Sequence, residues 1–110
     1  MTLRTIEYTL TREGHEVMEA EDGGQAIRML HEEGIDLLIT DINMPYTKGL
    51  ELVRYVNKNL DARIPVIVIS IINLEETKQH AMELGAFGYL TKPFDPKSLL
   101  RLVQSVAANR

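Results

Sequence analysis

The sequence predicts an α/β fold, a parallel sheet with helices on both faces. Three observations carry this. The run Val66-Ile67-Val68-Ile69 is rich in β-branched residues, which suit a pleated surface. A second apolar run, Leu37-Leu38-Ile39, lies between Gly34 and Pro45, and a run so short reads as a strand buried on both faces. Around both runs, apolar residues recur at helical spacing.

Taken in order, Thr2 to Glu13 reads as a helix, because Leu3, Ile6 and Leu10 share a face and Gly14 suits the position just past its end. Glu16 to Ala20 reads as a short strand with Val17 inward, and Glu21-Asp22-Gly23-Gly24 as a turn. Gln25 to Glu33 is helical, with Ala26, Ile27 and Leu30 on one side. The strand ending at Asp41 follows, then a helix from Leu50 to Asn59 carrying Leu52, Val53 and Val56. Val66 to Ser70 is the most strand-like segment. Asn73 with Glu76 resembles a capping box for a helix from Leu74 to Leu84. Phe87 to Thr91 is the last strand, stopped by Lys92-Pro93-Phe94. Asp95 caps a final helix, with Pro96 in its first turn and Leu99, Leu102, Val103 and Val106 on its apolar face.

The chain is expected to form one domain over residues 1–110, since 110 residues suffice for one core and not for two. A net charge of −4 argues against a nucleic-acid footprint. No apolar run approaches the roughly 20 residues that cross a bilayer, and Met1 to Arg4 lacks the apolar core of a signal peptide. The absence of cysteine excludes a disulfide or a thiolate metal site. A cytoplasmic protein without nucleic-acid or membrane partners is expected. His15, His31 and His80 share no spacing and read as surface residues, and the methionines read as packing.

Parallel strands put their C-terminal ends on one side of the sheet, where ligands bind in open α/β folds. Those ends are Ala20, Asp41, Ser70 and Thr91-Lys92. A carboxylate, a hydroxyl and an ammonium can therefore meet around one anion. Alone, Asp41 reads equally well as a turn residue; the grouping favours chemistry.

Four motifs in order carry a resemblance: Asp41-Ile42-Asn43-Met44-Pro45 with Gly49, then Ile67-Val68-Ile69-Ser70, then Gly85-Ala86, then Tyr89-Leu90-Thr91-Lys92-Pro93-Phe94. Together they resemble the receiver domain of two-component response regulators, and Ala20-Glu21-Asp22-Gly23 fits as well. The resemblance implies a flavodoxin-like, doubly wound parallel sheet. It implies a phosphoacceptor at Asp41, taking its phosphoryl group from a phosphohistidine on a sensor histidine kinase or phosphotransfer protein. It implies that Lys92 pairs with the phosphoryl oxygens, that Ser70 bonds the phosphoryl group, and that Tyr89 switches with the loop. Asn43 would offer its backbone carbonyl to Mg²⁺ beside Asp41, and the Lys92–Pro93 bond would be cis. The signal would pass to a downstream protein target by contact, through the helix Leu74 to Leu84, the last strand and the last helix.

The chain departs from the family at its start. Family members open with a strand and two acidic residues, and this chain opens at the helix. The expected fold is thus truncated at the N-terminus, with four strands and five helices. Mg²⁺ is expected to bind weakly, because the acidic pair is absent. A homo-oligomer or strand-exchanged dimer is expected to cover the unpaired strands. A bulky Ile71 follows the hydroxyl position, and it either narrows access to Asp41 or packs on the sheet edge. The competing reading is a degenerate receiver that binds partners without phosphate. A phosphatase with an Asp nucleophile needs an acid two residues on, and Asn43 stands there, so the chain is not expected to be an enzyme of that kind.

Overall fold

A computed structural model describes residues 3–42, 49–59 and 64–108. In chain order the elements are α1 (Leu3–Arg12), α2 (Gly23–Glu32), β1 (Leu38–Asp41), α3 (Gly49–Asn59), β2 (Val66–Ser70), α4 (Glu75–Glu83), β3 (Gly88–Thr91) and α5 (Pro96–Ala108). The sheet order is β1-β2-β3, and both pairings are parallel. This is the open, doubly wound α/β architecture that the sequence predicts.

β2 organises the interior because every one of its residues is buried. Its side chains alternate between two cores, as strand geometry requires. Val66 and Val68 pack with Ala26, Leu30, Leu52, Val53 and Val56, contributed by α2 and α3. Ile67 and Ile69 pack with Ile6, Leu10, Leu99, Val103 and Val106, contributed by α1 and α5. The two faces of one strand thus hold both helical layers.

Local chemistry sets the helix ends. Asp22 caps α2 by accepting from the Gln25 amide at 2.8 Å. Asp95 caps α5 by accepting from the Lys97 amide at 2.9 Å. Gly14, with φ of 90°, ends α1 in the left-handed region that glycine enters without strain. The capping box expected at Asn73 does not form. α4 begins one residue later, Leu74 holds the N-cap position without a side-chain bond, and Glu75 and Glu76 supply negative charge to the first turn instead.

The expected strand from Glu16 to Ala20 is the main correction. Among the described residues the sheet has three strands, and residues 15–20 have no regular secondary structure. β-propensity alone does not make a strand; a ladder partner is required. This segment instead lines one side of a cleft of about 650 Å³ whose other side includes β1. Val17 packs on the α1/α5 core and Ala20 on the α2/α3 core. β1 accordingly is not buried throughout: Leu38 and Ile39 are half-buried, and only Thr40 is fully covered. Met18 and Met82, expected to pack, are 45% and 47% exposed.

Because β2 joins both cores, truncating it is costly. Ile67→Ala is expected to destabilise the chain by about 2–5 kcal/mol, read from urea unfolding midpoints. A loss below about 1 kcal/mol, the range of ordinary surface changes, would contradict this packing.

Candidate functional site

The register of the sheet builds the site. Asp41 pairs with Ile69 across β1 and β2, and Ser70 pairs with Thr91 across β2 and β3. The Lys92 amide then donates to the Ser70 carbonyl at 2.7 Å, carrying the ladder one residue further. Asp41, Ser70 and Lys92 therefore sit on one edge. The Lys92 Nζ donates to Asp41 Oδ2 at 2.9 Å, joining residues 51 apart in the chain. The Lys92–Pro93 bond is cis.

The pair stays open to solvent: side-chain exposure is 25% for Lys92 and 37% for Asp41. A pair that exposed is worth at most about 1 kcal/mol. Fold stability is therefore a poor reason for its position, and an approaching anion or phosphoryl donor can reach it.

Ser70 lies at the same edge but is directed elsewhere. It is fully buried, and its Oγ accepts from the Ile72 amide at 3.1 Å. Tyr89 takes the other end of the same residue, its hydroxyl donating to the Ile72 carbonyl at 2.8 Å. Ile72 is thus held from both sides by the two residues expected to act as a switch. Ile71, immediately before it, is 73% exposed, so it does not pack on the sheet edge as one expectation had it. Leu74 is 61% exposed beside it.

Two backbone features hold Asp41 in place. The Thr40 hydroxyl donates to the Asp41 carbonyl at 3.0 Å. Thr40 carries its own signal in the sequence, a lone hydroxyl inside an apolar strand. Gly49 is more demanding. Its amide donates to the Ile42 carbonyl at 2.7 Å, and a Cβ at this position would overlap the Asp41 carbonyl. Gly49 thus lets α3 start directly against the strand that carries the carboxylate.

Metal ligation is weakly provided for. Among the described residues no group of three or more His, Cys, Asp or Glu is placed to hold a metal ion. Asp22 is engaged as a helix cap, and Asn43 lies outside the described residues. The described residues alone do not make up the Mg²⁺ site of the family. His31 bonds the Tyr55 hydroxyl at 3.0 Å on the surface, far in role from any ligand set.

The fold is thus a parallel α/β sheet with a carboxylate and an ammonium paired at its C-terminal edge. The family model described as "Response regulator receiver domain" matches residues 1–104. The chain belongs to that family. Protein PilH of Pseudomonas aeruginosa is 35% identical over 100 residues, which is 90% of this chain and 83% of that protein. "Probable transcriptional regulator ycf29" of Pyropia yezoensis is 33% identical over 106 residues, 96% of this chain but only 48% of that protein. The chain thus spans about half the length of one relative and most of the other. The Francisella response regulator 1452 receiver domain superposes with a TM-score of 0.88 at 27% identity, over 97% of this chain and 88% of that one. Chemotaxis protein CheY4 of Vibrio cholerae gives 0.84 at 34% identity, over 94% and 87%. No helix among the described residues is long and apolar enough to cross a membrane.

Two substitutions check this geometry. Lys92→Met is expected to change unfolding free energy by less than about 1 kcal/mol; a larger loss would make the pair a structural element. Gly49→Ala is expected to cost more than about 1 kcal/mol and to move the Asp41 and Ile42 amide resonances. Unmoved resonances would show that α3 does not abut the strand.

Proposed function

We propose that this receiver accepts a phosphoryl group on Asp41 from the phosphohistidine of a sensor kinase or phosphotransfer protein. The observation that carries the reading is the 2.9 Å contact between Lys92 Nζ and Asp41 Oδ2 at an accessible sheet edge. Phosphoryl transfer requires positioning and charge neutralisation above all. Here an Asp41 oxygen attacks phosphorus, the bond from phosphorus to the histidine nitrogen breaks, and the nitrogen leaves with the electron pair. The product is an acyl phosphate with close to two negative charges, by analogy with other phosphorylated side chains. The Lys92 ammonium faces those oxygens as a point charge.

The response runs through Ile72. In the unphosphorylated chain Ser70 Oγ is committed to the Ile72 amide and Tyr89 to its carbonyl. A phosphoryl group on Asp41 offers charged acceptors to the Ser70 hydroxyl hydrogen, and reaching them swings Oγ away from the Ile72 N–H. Turning to them releases the Ile72 amide and loosens the loop that bears the exposed Ile71 and Leu74. A local charge then biases a two-state element, and a downstream protein reads the loop, α4 and β3.

A second reading, an interaction module that never takes phosphate, is favoured by the sparse metal donors among the described residues. One experiment separates the two. Acetyl phosphate with Mg²⁺, followed by intact-mass measurement, is expected to add one phosphoryl group slowly, and Asp41→Asn is expected to add none. No gain in the unaltered chain, or the same gain in Asp41→Asn, would decide for the second reading. Tyr89→Phe is expected to keep the gain while shifting the amide resonances of residues 71–74.

A further inference from the structure

Thr40 stands where an apolar residue would pack equally well. It is buried, it pairs in register with Val68, and Leu38, two residues earlier on the same face, packs on the α2/α3 core. Valine has the same branched shape, and a buried hydroxyl is costly unless it is hydrogen-bonded. Packing thus gives no reason for the oxygen. Its bond does: Thr40 Oγ1 donates to the Asp41 carbonyl at 3.0 Å.

The same carbonyl is confined from a second direction. A Cβ on Gly49 would overlap it, so the first residue of α3 sits directly against it. The Gly49 amide also donates to the Ile42 carbonyl at 2.7 Å. The peptide that follows Asp41 is therefore set between a strand hydroxyl and the start of a helix. The directions open to a side chain depend on the φ and ψ of its own residue. Setting the carbonyl thus sets the direction in which Asp41 projects its carboxylate, which meets Lys92 Nζ at 2.9 Å. Neighbouring side chains leave a strand on opposite faces, so the hydroxyl acts on the carboxylate through the backbone.

We propose that Thr40 is a positioning residue for phosphoryl transfer: its hydroxyl holds the Asp41 carbonyl, and through it the aim of the attacking carboxylate. The proposal rests on Asp41 being the phosphoacceptor. Aim matters because reacting atoms must be held close to their attack geometry, and small misplacements slow the step steeply.

The test compares the unaltered 110-residue chain with Thr40→Val, which keeps the volume and removes the hydroxyl, and Thr40→Ser, which keeps the hydroxyl and removes a methyl. Phosphoryl uptake from acetyl phosphate with Mg²⁺ is timed by intact mass. The Asp41 carboxyl carbon resonance reports its setting without phosphate, and urea midpoints report stability. Thr40→Val is expected to slow uptake at least about tenfold and to move the resonance. Thr40→Ser is expected to keep both near the unaltered values while lowering the urea midpoint, because a lost buried methyl leaves a cavity. A packing role would invert the rates, with Thr40→Val near the unaltered chain and Thr40→Ser slow. That inversion, or equal rates in all three chains, would overturn the proposal. Thr40→Ala set against Thr40→Ser repeats the comparison with the hydroxyl as the only difference, and equal rates in that pair would overturn it too. If the unaltered chain takes no phosphoryl group, the phosphoacceptor reading fails by itself. The resonance then decides the positioning, and an unmoved Asp41 carboxyl in Thr40→Val would overturn it.

Discussion

The contact between Lys92 and Asp41 depends on one constraint, the parallel register of β1, β2 and β3. Asp41 opposite Ile69 and Ser70 opposite Thr91 leave no freedom in where the strand ends fall. A one-residue slip in either pairing would turn every side chain of that strand to the other face. The two cores forbid such a slip, because β2 feeds both with large β-branched residues. Packing deep in the molecule thus fixes the geometry of a half-exposed ion pair that adds little stability itself.

The same logic explains how much the sequence disclosed. β2 was legible because its apolar run is short, β-branched and bounded. The ends Asp41, Ser70 and Lys92 were legible because parallel strands share one edge. The bond that Asp95 makes at the start of α5 follows from residue type alone. What the sequence could not disclose depended on partners in space. Residues 16–20 have strand-like composition, but a strand is a pairing and no ladder reaches them. That the Ser70 Oγ accepts from the Ile72 amide appears only once the loop after β2 is placed. Gly49 was visible as a chain break, but its close approach to the Asp41 carbonyl appears only once α3 is placed.

On the β3 side, Ser70 and Tyr89 hold Ile72 by its amide and its carbonyl. On the far side of β1, a cleft of about 650 Å³ adjoins the strand, which among the described residues pairs with β2.

The most direct test of this account is zero-length carbodiimide coupling, which joins a carboxylate to an amine only where the two touch. Peptide mass spectrometry of the coupled, folded chain is predicted to find an amide bond between Asp41 and Lys92 that disappears in urea. Absence of that bond in the folded chain, or its equal yield in urea, would contradict the placement on which the site rests.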